Sequence, residues 1–168
     1  MSAVNCISPY FCTIKSYFVG IEKDINQKKF RNEHQKAMIN LIYTFNWVTE
    51  KAKTILEKGD VTSQQFNILR ILRGAGEPLS TLQIRQRMLD KMSDTSRIVD
   101  RLILKGLAKK NVCKTDKRLV DVSITDKGKK LLEKLDKYDT DMDAIAGSLS
   151  EADAKTLNKL LDKLRNSN

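Results

Sequence analysis

The sequence is poor in the residues that metal centres and many enzymes need: it has one histidine, His34, and three cysteines, Cys6, Cys12 and Cys113. These form no CxxC pair and no Cys/His spacing of a zinc site, so neither a structural metal nor any cofactor is expected. The odd cysteine count, without a recognisable secretion signal, points to a reducing cytoplasm. A nucleophile elbow and a phosphate-cradling glycine loop are also absent, and a single histidine on a long helix reads as surface or interface, so the chain is not expected to be an enzyme. No apolar stretch reaches the roughly 20 residues of a membrane span, so no membrane partner is expected. Residues 1–14 are uncharged, but Pro9 interrupts them and no Lys or Arg precedes them; they are expected to belong to an added N-terminal arm, residues 1–28, or to be a frayed terminus. There is no internal repeat and no low-complexity tract.

What is present is globular. Across 168 residues, 40% are hydrophobic and 31% charged, enough for one domain with accessory helices. The formal net charge is +10, and its distribution is uneven. Residues 79–128 hold 12 Lys/Arg against 6 Asp/Glu, the largest local excess in the chain. Such an excess attracts polyanions, nucleic acid before an anionic membrane surface. A solvated basic face is the other reading.

From 29 to 58 the apolar residues Ala37, Leu41, Ile42, Phe45, Val48, Ala52, Ile55 and Leu56 recur every three or four positions without Pro or Gly. This spacing predicts a long amphipathic helix, with Gly59 as its C-cap. A second helix starts at a capping box, Thr62 with Gln65, beside a Val61–Phe66 staple, and stops at Gly74 and Gly76. The same device recurs at Ser80 and Gln83, with Leu79 and Ile84 as the staple, for a helix from about 81 to 89. After a link of Asp90, Lys91 and Met92, Ser93 is expected to cap a third helix that ends at Gly106. Two short helices joined by a tight turn form a helix-turn-helix. A strand at 107–113, the polar connector Lys114-Thr115-Asp116-Lys117 and the alternating strand 119–124 add a wing. Thr125 opens a further helix, and Ser150 with Asp153 caps a last one carrying Leu157, Leu160, Leu161 and Leu164. The predicted fold class is mostly α, an α+β winged helix: a lobe over 61–128 with a two-stranded wing, and a helical dimerisation base from 29–60 and 129–168.

On these elements Ser93, Thr95, Ser96 and Arg97 are candidates for the groove floor of a duplex, since short hydroxyls permit close approach and arginine offers a bidentate fork. Arg97 has a second reading, an ion pair with Asp94 or Asp100 on its own helix. Val99, Ile98 and Leu102 should face the core, and for Arg101 an ion pair with Asp100 is at least as good a reading as contact with a ligand. Lys114, Lys117 and Arg118 can reach the sugar-phosphate backbone, or they form a solvated hairpin tip. Tyr43 and Trp47 can line an effector pocket or belong to a core.

The runs Thr62-Ser63-Gln64-Gln65-Phe66-Asn67-Ile68-Leu69, Met92-Ser93-Asp94-Thr95-Ser96-Arg97-Ile98-Val99-Asp100-Arg101-Leu102, Lys105-Gly106-Leu107, Thr115-Asp116-Lys117-Arg118 and Ile124-Thr125-Asp126-Lys127-Gly128 together resemble the MarR family of transcription regulators. The resemblance covers about 32–164. It implies a homodimer with intertwined terminal helices that binds double-stranded DNA at a pseudo-palindromic operator, as a repressor that a small aromatic acid can release. It further implies DNA contacts by Ser93, Ser96 and Arg97, minor-groove insertion of Arg118, and Asp116 orienting Arg118. Lys117 departs from the arginine common in the family, and Cys6 and Cys12 lie outside the matched region. The alternative is a protein-interaction module that keeps the winged fold without reading DNA.

Overall fold

The computed structural model describes residues 20–112 and 120–166, in two compact units divided between Thr44 and Phe45. In the first unit a short helix α1 (Ile21–Asp24) precedes the start of the long helix α2 (Glu33–Leu56). The start of α2 lies later than periodicity predicts because Asn32 Oδ1 accepts the Gln35 N–H at 2.9 Å, which caps the first turn. Glu22 pairs with Lys36 at 2.5 Å.

The second unit begins within α2, which closes in one 3₁₀ turn, Glu57–Gly59. Gly59 is not the residue that turns the chain. Asp60 takes the left-handed conformation, φ 51°, whereas Gly59 is small because a Cβ there would stand 3.0 and 3.1 Å from the methyls of Leu135 and Leu131. Helix α3 (Ser63–Ala75) starts at the expected box: Gln65 N–H to Thr62 Oγ1 and Thr62 N–H to Gln65 Oε1, both 3.2 Å. It ends where Gly76 adopts φ 69°, a conformation costly for any residue with a Cβ.

Leu79–Ser80 form a short strand, β1, and Ser80 also caps α4 (Thr81–Arg87) with Gln83. Helix α5 (Thr95–Leu104) follows and turns at Gly106, φ 69°. Strands β2 (Ala108–Val112) and β3 (Val120–Ile124) pair antiparallel from Ala108↔Ile124 to Val112↔Val120. On the other side β3 pairs with β1, Leu79↔Val122 and Ser80↔Asp121, so the sheet has three strands in the order β1-β3-β2, not the two expected. A two-residue strand shows no alternation for a sequence pattern to detect.

Helix α6 (Asp126–Asp136) is capped by Thr125, whose Oγ1 accepts the Gly128 N–H at 3.1 Å. Then come α7 (Asp139–Asp143), a 3₁₀ turn (Ala144–Ala146) and α8 (Glu151–Arg165), which is capped by Ser150 and Asp153 as expected. Ile68, Leu69, Leu79, Ile84, Leu102 and Leu132 are each fully buried; they draw α3, β1, α4, α5 and α6 into one core. Among the described residues no helix is long and apolar enough to cross a membrane.

The α3–α6 contact carries a charged clasp. The Arg73 guanidinium donates to both carboxylate oxygens of Asp136 at 2.6 and 3.1 Å, and Arg70 adds a third bond at 3.3 Å. The Arg73 hydrogen bond holds the Asp136 carboxyl below its ordinary range. A carboxyl depressed in the folded state contributes stability above its unfolded pKa, about 4, and loses it as pH falls through the folded value. Asp136→Asn is therefore expected to be less stable than the wild type at pH 7, with the gap closing in urea titrations below about pH 4. A gap that stays constant down to pH 2 would refute the charged clasp.

Candidate nucleic-acid interface

Helix α5 has two faces fixed by its periodicity. Thr95, Val99 and Leu102, at positions i, i+4 and i+7, are buried against the core, at 4%, 2% and 0% exposure. Ser96, Arg97, Asp100 and Arg101 face outward and are exposed. Ile98 is half-buried against the core cluster.

This arrangement corrects two expectations. Thr95 does not face a partner: its hydroxyl donates to the buried Met88 sulfur at 3.3 Å, beneath the start of the helix. The spacing to Val99 and Leu102 is the sequence signal that marks Thr95 as inward. Ser93 does not cap the helix either. Asp94 does, with Oδ1 accepting the Arg97 N–H at 3.2 Å, while the half-buried Ser93 donates its hydroxyl to the Asp90 carbonyl at 2.9 Å. The helix pair is also shorter and its link longer than predicted, because Met88 leaves α4 in an extended conformation. That link, residues 88–94, is pinned by Asn67 of α3, whose Oδ1 accepts the Leu89 N–H at 3.0 Å. Asn67 was missed because its partner lies 22 residues away.

The two readings of Arg97 separate here. Asp94 is engaged by the Arg97 backbone, and Asp100 pairs with Lys110 at 2.9 Å. Among the described residues the Arg97 guanidinium makes no hydrogen bond or ion pair, and Arg85, Arg87 and Arg101 are likewise exposed without an ion pair. Other cations turn inward. Lys105 binds the carbonyl and carboxylate of Asp60, Lys127 donates to the Lys105 carbonyl at 2.8 Å, and Lys134 donates to the Lys58 carbonyl at 2.9 Å. Those lysines satisfy carbonyls where helices end, whereas Arg85, Arg87, Arg97 and Arg101 on α4 and α5 keep their charges exposed.

Lys114, Asp116, Lys117 and Arg118, together with Cys6, Cys12 and Cys113, lie outside the described residues. Tyr43 and Trp47 are each exposed on α2, at 39% and 41%. Neither lines the cavity of about 470 Å³ walled by Thr49, Lys53, Leu56, Asp60, Thr62 and Lys105. His34 is exposed, and no His/Cys/Asp/Glu cluster among the described residues could hold a metal ion.

No protein-family model matches the chain, and no curated protein does. Solved structures do. A MarR transcription factor from Planctomyces limnophilus is 29% identical, with TM-score 0.61 over 80% of this chain and 98% of its own. A cysteine-to-serine mutant of E. coli MarR complexed with operator DNA is 22% identical, with TM-score 0.73 over 81% of this chain and 98% of that one. BpsR of Bordetella bronchiseptica, described in terms of regulation of its DNA binding by 6-hydroxynicotinic acid, is 20% identical, with TM-score 0.68 over 78% and 99%. These neighbours are transcription regulators and not enzymes. The three-stranded sheet and its helices form the MarR winged-helix fold, and these likenesses support a MarR-family winged-helix regulator.

Proposed function

We propose that the chain binds double-stranded DNA sequence-specifically as a homodimer on a pseudo-palindromic operator, and represses by occluding a promoter. The observation that carries this reading is the outward face of α5. Ser96 and Arg97 stand in its first turn, exposed, with the arginine fork unengaged, on a helix whose opposite stripe is locked into the core. A helix start also favours phosphate through its unpaired amides and dipole. Ser93, Ser96 and Arg97 would meet the major groove; Lys114, Lys117 and Arg118, with Asp116 orienting Arg118, would meet the backbone and minor groove. The neighbour solved with operator DNA supports duplex binding by this fold.

A dimer is supported by apolar side chains left in water. Leu157, Leu160 and Leu164 form an exposed stripe on α8, and Phe45 and Val48 are exposed on α2. A second copy would cover such stripes and hold two α5 helices about one helical turn, roughly 34 Å, apart. An aromatic acid effector is supported by the 6-hydroxynicotinic acid of the BpsR neighbour. It could release DNA only by binding the non-competent arrangement better.

Fluorescence anisotropy on duplex selected from random sequence tests the reading. Arg97→Ala is expected to cost about 1–3 kcal/mol on the selected site and to relax base preference. Lys117→Ala should weaken all sequences alike and reduce the salt slope by about 1. Unchanged affinity for Arg97→Ala would remove α5 as the reading helix, and binding indifferent to salt would favour the protein-interaction module. Repeating the titration with hydroxylated aromatic acids tests the effector; affinity unmoved by all of them would exclude it.

A further inference from the structure

We infer that Met92 is a base-reading residue that packs against the 5-methyl group of a thymine at the edge of the major groove, an inference that rests on duplex binding through α5. Met92 is 94% exposed, two residues before the Asp94 cap. The residues around it are polar: Lys91, Ser93, Asp94, Ser96 and Arg97. Such side chains read the donors and acceptors of base edges. The one apolar group on the groove floor is the thymine methyl, and it is recognised by apolar contact.

The main chain on either side of Met92 is held in place. The Met92 N–H donates to Asp90 Oδ1 at 3.0 Å, the Ser93 hydroxyl to the Asp90 carbonyl at 2.9 Å, and the Lys91 ammonium to the Gln86 carbonyl. Met88, 1% exposed, anchors the segment from below. The link is therefore presented in one shape, and little chain ordering remains to oppose binding. The unbranched thioether of Met92 can then adapt to the position of a methyl group. Two other apolar residues are nearly as exposed, Leu89 and Leu104, both at 87%. Leu104 lies at the far end of α5 from the cap, and Leu89 lies five residues before the cap, so Met92 is the one placed at the helix start.

The test replaces each thymine of the selected duplex in turn with uracil, which removes the methyl and nothing else. Wild-type protein is expected to lose about threefold to fivefold in affinity at one position per half-site, the worth of one methyl group. Met92→Ala should bind the thymine duplex more weakly by a similar factor and be indifferent to uracil there, and Met92→Leu should keep the sensitivity. A wild type that binds duplex tightly but ignores every uracil, or a Met92→Ala protein that keeps the full loss, overturns the inference while leaving the DNA reading intact. Absence of duplex binding by the wild type would overturn both.

Discussion

Gly128→Ala is expected to lower the thermal midpoint by about 6–12 °C, the consequence of roughly 3 kcal/mol lost at one methyl group. Gly128 sits in the first turn of α6, where β2 and β3 meet the helix. A Cβ there would lie 2.3 Å from the Leu107 carbonyl oxygen and 2.8 Å from Ile124 Cγ1. The oxygen cannot retreat, because it accepts the Thr125 N–H at 3.1 Å, while the Thr125 hydroxyl donates to the Gly106 carbonyl at 2.7 Å. Relieving the collision means moving the start of β2 away from α6, and with it the cap of the helix. Gly74 is the internal comparison. It lies in the last turn of α3 with nothing within 4 Å of its Cβ position, so Gly74→Ala is expected to leave the midpoint unchanged or raise it slightly. Differential scanning calorimetry on the two variants decides the matter, and equal midpoints would mean that the α6 junction yields freely.

Leu160→Glu is expected to convert the proposed dimer to monomers and to weaken operator binding on the order of 100-fold. Leu160 is 59% exposed, between Leu157 at 44% and Leu164 at 51%, so a charge there disturbs no packing within the protomer. In a dimer it would be buried without a partner, and ions in that position are strongly disfavoured. The affinity falls because two lobes on one duplex act as linked binders, and a monomer loses that advantage. Sedimentation equilibrium together with anisotropy measures both effects. A variant that stays dimeric removes α8 from the interface, and one that turns monomeric with unaltered affinity removes the need for two lobes.

Much of the lobe could be read from the chain because its signals are local. The capping boxes at Thr62, Ser80 and Ser150 involve partners three residues away, so composition and spacing suffice to find them. The outward placement of Ser96 and Arg97 followed from the same local logic. Where the reading missed, a contact that spacing alone does not mark decided the outcome. Ser93 and Asp94 are both good caps in sequence, and the Asp90 carbonyl takes up the Ser93 hydroxyl. Thr95 looks polar but is drawn inward by Met88, seven residues earlier. Gly59 looked like a turn glycine, yet its smallness answers to Leu131 and Leu135 on another helix. The strand β1 is defined only by its pairing with β3, about forty residues further along the chain.

Ser80 belongs at once to that strand and to the N-terminal cap of α4. The hairpin strand β3 is thereby stitched directly to the first helix of the pair, and α4 in turn packs on α5. Neither the wing nor the helix pair can be re-aimed alone, because tilting one drags the other through a shared residue. In the proposed dimer, whatever changes how the two lobes meet a duplex would therefore act on the span between them, moving each as a solid piece.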